Sequence, residues 1–288
     1  MLSLAPLLYR GIFSESGGPI AAVESSTFPI FNKDTYQAAA FLRPDLPGNR
    51  VDGVADGAAF SDSPEVARDL AISEALELWA FRETRRAHAA EYGFGLDRTS
   101  NGLAAFPGFK WQARRRARFA ALERFALVSW WDRRVSASVH RAPYPGVGMV
   151  RIHHGQTFGE VVILFHQAPT GFVAYGHAAG ATLATATSKA VVELVRSEFG
   201  ISRRRACGSM NQPLDYFERR CLYFSTPEGH AEFMERVAAP ADRPSPKWNV
   251  VYDGEIPGPW SQWTRVWRHC VVMPTYAFLD TRQNFFFW

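Results

Sequence analysis

Ser100-Asn101-Gly102-Leu103-Ala104-Ala105-Phe106 runs, a few residues on, into a basic segment that carries Glu123-Arg124 and then Trp130-Trp131. Two other stretches read alike. Gly57-Ala58-Ala59-Phe60 leads to a segment with Glu74 and Glu77, and Gly176-His177-Ala178-Ala179-Gly180 leads to one with Lys189 and Glu193. Each reads as a glycine-containing loop, then an alanine-rich helix with an acid late in it. Used three times, this arrangement would gather several carboxylates at one place. Gathered carboxylates in a dry site mean metal ions, and commonly metal-bound phosphate.

The remainder of the chain is ordinary for a globular protein. Its 288 residues suit one large domain or two small ones, and 22 Phe and 9 Trp supply ample core material. The formal charge is +4, but the basic residues cluster at Arg114-Arg115-Arg116, Arg118, Arg133-Arg134 and Arg203-Arg204-Arg205. Such clusters suit phosphate, an acidic peptide or nucleic acid, or are solvated helix faces; the reading adopted has no nucleic-acid partner. Cys207, Cys221 and Cys270 are odd in number and widely spaced, which argues against a disulfide framework and a structural zinc site and fits a cytoplasmic setting. The start, Met1 to Leu8, lacks a cationic leader. No run of about 20 apolar residues is present, so no membrane span is expected.

Ser63-Pro64-Glu65 is a helix start, with a hydroxyl cap, proline at the first helical position and an acid in the first turn. That helix is predicted to reach about Tyr92. A second is predicted from about Phe109 to Arg133 and a third from about Thr185 to Phe199. Residues 215–223 and 227–238 also read as helical. Strands are predicted at 147–153, 160–166 and 171–175, and short strands and turns over 9–50. Pro240 to Pro246 is a surface loop, and the aromatic-rich end reads as a docked tail. The fold class expected is α/β, a single domain with mixed sheets backing three long helices.

Glu74 and Glu77 lie three apart on one helix face, beside Leu70, Leu78 and Phe81. Acids in an apolar stripe need a cation, either a metal or an arginine from elsewhere; the alternative is a solvated pair at the stripe's edge. Glu123 is the lone acid of a long basic helix, and an arginine one turn away, Arg116 or Arg118, is its plain partner. Lys189 and Glu193 are spaced to pair with each other on the helix surface. His153, His154, His166 and His177 fall close in sequence but read as structural or surface residues. Cys207, beside three arginines, lacks a paired base. Ser14-Glu15-Ser16-Gly17-Gly18 lacks the Lys-Ser/Thr of a phosphate loop.

The whole pattern resembles the YcaO superfamily, ATP-dependent enzymes that activate peptide-backbone amides. In that family glycine-containing loops precede helices bearing Ser-xxx-Glu-xx-Glu-Arg, Glu-xx-Glu-Arg and Arg-xxx-Glu-xxx-Gln. The resemblance covers about residues 52–199, roughly half of the chain. Ser100 to Ala105 and Glu123-Arg124 with Trp130-Trp131 carry most of it, and Asp215-Tyr216-Phe217-Glu218-Arg219-Arg220 adds a downstream match. It implies one YcaO-like domain over 1–288, with the nucleotide-site helices within about 52–199 and an aromatic-rich part at 200–288. Carried over, the family's magnesium ligands fall on Glu74, Glu77, Glu123 and Glu193, and its phosphate partners on Arg124 and Lys189. Gln112 stands near, but about one residue off, the glutamine that precedes the second motif. Leu70, Leu78, Ala120 and Ser197 stand where the family has serine, arginine, glutamate and glutamine. The proline-rich end of many peptide-cyclising members is replaced by Phe285 to Trp288.

The resemblance implies an ATP- and magnesium-dependent subunit that forms azolines by cyclodehydration of a ribosomally synthesised precursor peptide, as in thiazole/oxazole antibiotic biosynthesis. It names no catalytic side chain. A partner protein would bind the peptide's leader, and a flavin-dependent dehydrogenase is a further expected partner. The alternative is a chain that keeps the fold, has lost turnover, and supports such a partner enzyme.

Overall fold

A short helix, α1 (Ala5–Leu8), precedes two long strands, β1 (Ile20–Ile30) and β2 (Lys33–Leu42), which pair antiparallel. These strands correct the expectation of short pieces over residues 9–50. Glu24, Ser25, Ser26 and Thr27 give β1 no apolar alternation, so cross-strand pairing rather than patterning sets its length. The computed structural model describes residues 3–30, 33–48, 55–88, 90–206, 208 and 216–286. Their contacts divide into two units, Met1–Ala121 with Asn249–Val272 and Leu122–Trp248 with Met273–Trp288.

In the first unit β3 (Gly57–Ser61) joins β2 and forms one edge of the sheet β1-β2-β3. The helix α2 (Pro64–Ala87) follows at once. The Ser63 hydroxyl accepts the Val66 N–H, as the sequence predicts for its cap. The helix buries Ala71, Ile72, Ala75, Leu76 and Trp79. β3 approaches it so closely that a Cβ at Gly57 would stand 2.2 Å from the Ala71 carbonyl oxygen. The helix stops short of Tyr92, with Arg85 and Arg86 in its last turn, where His88 leaves the helical region at φ −137°. A second sheet of this unit has the order β4-β10-β9, with β4 (Leu103–Phe106), β9 (Val250–Glu255) and β10 (Arg265–Val271). On β10 the guanidinium of Arg268, fully buried, lies 3.6 Å from the Phe94 ring centroid. It donates to the carbonyls of Asp97 (2.7 Å) and Thr99 (3.2 Å), fixing the preceding loop.

The helix α3 (Lys110–Trp131) begins in the first unit and ends in the second, close to its predicted span. The second unit holds the antiparallel sheet β5-β6-β7-β8, formed by β5 (Ala137–Arg141), β6 (Val147–Ile152), β7 (Glu160–Gln167) and β8 (Val173–Gly180). On it lies α4 (Leu183–Ala206), whose Ala186, Ala190, Val191 and Leu194 are buried against Val162, Leu164 and Ala174. At Gly176 of β8 a Cβ would stand 2.1 Å from the Leu194 nitrogen. The expected end at Phe199 is passed. Gly200 costs about 1 kcal/mol as a helix residue, and the buried Ile201 beyond it offsets that cost. Two shorter helices, α5 (Tyr216–Phe224) and α6 (Pro227–Ala238), sit where predicted.

The tail docks in the second unit, as expected. Phe285 and Phe286 are buried, and the Phe286 ring meets Trp130, Trp131, Tyr175, Phe224 and Phe233 at centroid distances of 4.9–5.7 Å. Such aromatic pairs add about 0.5–1.5 kcal/mol each beyond area burial. Buried Arg220 holds the same segment through the carbonyls of Phe278 (2.6 Å), Asp280 (2.9 Å) and Gln283 (3.1 Å). Phe287 and Trp288 lie outside the described residues. The fold class is the expected mixed α/β one, with several sheets and three long helices. The glycine-containing stretches, however, are strands rather than loops. β4 is buried along its whole length and β8 nearly so, which removes the alternation that marks a half-exposed strand.

Candidate functional site

Among the described residues β3, β4 and β8 each end a sheet, so each has an outer row of backbone groups without a neighbouring strand. The late acids of the long helices meet these rows. In the first unit the Glu74 carboxylate accepts the Ala58 N–H on β3 at 3.1 Å. Glu77, three residues on, accepts the Ala105 N–H on β4 at 3.1 Å. The Ala105 carbonyl is taken in turn by Arg116 Nη1 at 3.2 Å, and that guanidinium also covers the Phe106 ring. Glu74 is exposed and Glu77 partly covered. Desolvation, and then the Glu74 charge, push Glu77 up to about 8, while the Ala105 amide and Arg116 pull it back.

In the second unit Glu123 of α3 accepts on both oxygens. Oε1 lies 2.7 Å from His177 Nδ1, and Oε2 takes the Ala179 N–H of β8 at 3.0 Å. The Ala179 carbonyl accepts from Lys189 Nζ at 3.2 Å. Ala179 is therefore bracketed by an acid and a cation, as Ala105 is. The sequence pointed to Arg116 or Arg118 for Glu123; its partner is His177. Lys189 was expected against Glu193 but reaches the strand. Glu193 is exposed and faces Arg196 at 3.8 Å. Arg124 is partly buried. A cavity of about 440 Å³ runs beside β8 and α4, lined by His177, Glu193, Arg196, Ser197 and Arg204 among others. Cys221 also lines it, but burial pushes its thiol up to about 11, which argues against a nucleophile.

Among the described residues no group of three or more His, Cys, Asp or Glu stands together as a metal cage would need. Magnesium needs no such cage, since it binds through one or two carboxylates, waters and substrate phosphates. Glu74 and Glu77 supply carboxylates of the kind that mode uses. The histidines are dispersed: His153 meets Ser138 Oγ at 2.7 Å, His154 accepts the Gln156 N–H at 3.2 Å, and His166 faces Glu198 at 3.0 Å. Cys207 lies outside the described residues. Much of the basic clustering is spent internally: Arg114 on Asp253 (2.5 Å), Arg133 on Asp242 (2.7 Å), Arg134 on Asp132 (2.6 Å) and Arg204 on Glu218 (2.5 Å). Sequence reasoning placed Arg116 with Glu123 rather than beside Glu77, and missed His177 as the partner of Glu123. Their roles come from strand pairing, which leaves no local pattern. Among the described residues, no helix is long and apolar enough to cross a membrane.

No protein-family model matches the chain, and a search of curated proteins finds no match. Two chains of solved structures are similar to this one. One is a chain of the E. coli microcin synthetase McbBCD complex, with a TM-score of 0.55 and 12% identity over 87% of this chain and 87% of that one. Another is a chain of the E. coli McbBCD complex with pro-MccB17 bound, with a TM-score of 0.46 and 15% identity over 62% of this chain. The match spans 55% of that second chain.

Proposed function

We propose that the chain is a divergent YcaO-type subunit that modifies a ribosomally synthesised precursor peptide with ATP and magnesium, by azoline-forming cyclodehydration. The observation that carries this reading is the Glu74–Glu77 pair, two acids three residues apart on one helix, with Glu77 pushed up to about 8 by desolvation and then by the Glu74 charge. The fold likeness to a chain of a peptide-modifying synthetase complex supports it at the level of architecture. Glu74, Glu77, Glu123 and Glu193 are the proposed magnesium carboxylates, and Arg124 and Lys189 the proposed phosphate partners. Magnesium would neutralise the nucleotide's phosphate charge. A Cys, Ser or Thr side chain of the peptide attacks the preceding amide carbonyl, and the resulting oxyanion takes the γ-phosphoryl group of ATP. Phosphate then leaves with the former carbonyl oxygen, and the ring C=N bond forms. The precursor peptide, a leader-binding protein and a flavin-dependent dehydrogenase are the proposed partners, in the cytoplasm.

A second reading, a scaffold without turnover, is favoured by a specific observation. Glu74, Glu77 and Glu123 already accept hydrogen bonds from the protein's own amides, so folding alone explains their presence. Leu78 and Ala120 also lack the side chains that clamp phosphate and metal. Isothermal titration with ATP, with and without magnesium, separates the readings in wild type, Glu74→Gln and Glu193→Gln. The enzyme reading expects magnesium-dependent binding that weakens at least tenfold in Glu74→Gln. Absence of ATP binding in all three proteins supports the scaffold.

A further inference from the structure

We propose that Ser138, His140 and His153 of the second unit form a site for a transition ion, zinc or copper, apart from the magnesium carboxylates. β5 carries Ser138 and His140 two residues apart, and so on one face of the strand. The His153 N–H donates to the Ser136 carbonyl at 2.9 Å. That bond carries the pairing of β5 with β6 one step past Ile152 and sets the third side chain beside the other two. All three meet at one atom: Ser138 Oγ lies 2.8 Å from His140 Nε2 and 2.7 Å from His153 Nε2. Two imidazoles from neighbouring strands thus converge through the same ring nitrogen.

A hydroxyl has one proton, so Ser138 donates to one imidazole and accepts from the Nε2–H of the other. Both rings are exposed, so the ring protonated on Nε2 can move its proton to Nδ1 through solvent. Both Nε2 lone pairs then face the shared point, and neutral imidazole is the commonest ligand for such ions. Zinc takes imidazole nitrogen at about 2.0–2.1 Å, and rotation of the two surface side chains closes the distance. The serine oxygen and water fill the other positions. The surroundings do not repel a cation. Arg151 stands opposite Ser138 in the register, but Glu160 neutralises it through two bonds of 2.8 Å. Arg141 follows His140 and projects from the other face. Met149, opposite His140, is buried with Thr187 donating to its sulfur at 3.6 Å, which anchors this part of the sheet. Nitrogen donors select copper and zinc over magnesium, which prefers oxygen. The ion clips β5, the outer strand of its sheet, to the end of β6.

The test uses the full chain, purified without a histidine tag. Isothermal titration with zinc chloride should show a site that excess magnesium does not displace. His140→Ala and His153→Ala should each weaken zinc binding at least about tenfold, and Ser138→Ala should weaken it less. Glu74→Gln should leave it unchanged, which separates this site from the magnesium carboxylates. With copper, the electron paramagnetic resonance spectrum should show hyperfine lines from two imidazole nitrogens, reduced to one in either histidine variant. Hydrogen exchange over residues 137–141 should slow when zinc is added. A wild type that binds neither ion overturns the proposal, as does zinc binding undiminished in both histidine variants, which would place the ion elsewhere. If His153→Ala does not fold by circular dichroism, His140→Ala and the wild-type copper spectrum decide, and a spectrum without imidazole nitrogens refutes the site. None of these outcomes touches the ATP reading, which is decided by the nucleotide titration.

Discussion

Glu77 in the first unit and Glu123 in the second do the same backbone work in opposite company. Each accepts the N–H of an alanine on an edge strand, and each alanine gives its carbonyl to a cation, Arg116 or Lys189. Glu77 has another acid beside it and is pushed up to about 8, whereas Glu123 has an imidazole at 2.7 Å. The difference teaches that one structural device can prepare an acid for two chemistries. The neighbour decides whether the acid is pushed up by a second carboxylate or paired with an imidazole.

The strongest way to break the comparison is to remove each unit's buried cation. Arg268→Met and Arg220→Met should each cost about 3–5 kcal/mol by urea unfolding, since each strands buried carbonyls. Hydrogen exchange should rise around residues 93–103 in the first variant and 278–283 in the second. Exchange that rises equally everywhere would show that the units do not respond separately. Next come the close approaches. Gly57→Ala and Gly176→Ala should each lose about 2–3 kcal/mol by the same measurement, because a Cβ would meet backbone at 2.2 and 2.1 Å.

The contrast between the acids is sharpened by pH. Glu77 is raised in the folded chain, so its native form holds a proton that the unfolded chain releases near the ordinary carboxylate range. Stability should therefore fall as pH climbs from about 4.5 to about 8. Glu77→Gln should remove on the order of 1–2 kcal/mol of that fall, after allowance for solvent screening, in melts at a series of pH values. Magnesium should flatten the wild-type curve if it pairs with these acids, and a curve indifferent to magnesium counts against that pairing. The smallest effect is expected at Glu193. Its pair with Arg196 is exposed and 3.8 Å long, so Glu193→Gln should change stability by less than about 0.5 kcal/mol.

Much of the scaffold was legible. Ser63-Pro64-Glu65 declares a helix start by local chemistry, and the three long helices lie near their predicted places. The edge strands β3 and β4 were not legible and β8 only at its start, because Ala58-Ala59, Ala104-Ala105 and Ala178-Ala179 have low strand propensity. Their state is decided by partners far along the chain, such as β10 for β4. The candidate acids were visible as types and spacings. What each touches was not, because His177 reaches Glu123 across 54 residues and Ala105 reaches Glu77 across 28.

The bracketed alanines bear on how the chain is made. A ribosome delivers α2 with Glu77 before it delivers β4, and α3 with Glu123 before β8. Each of these alanine-rich edges thus emerges when the carboxylate that will occupy its amide already exists. An unpaired edge is most dangerous while nascent, when neighbouring chains can add to it. Emergence in this order shortens that interval, and moving either acid to the far side of its strand in the gene would lengthen it.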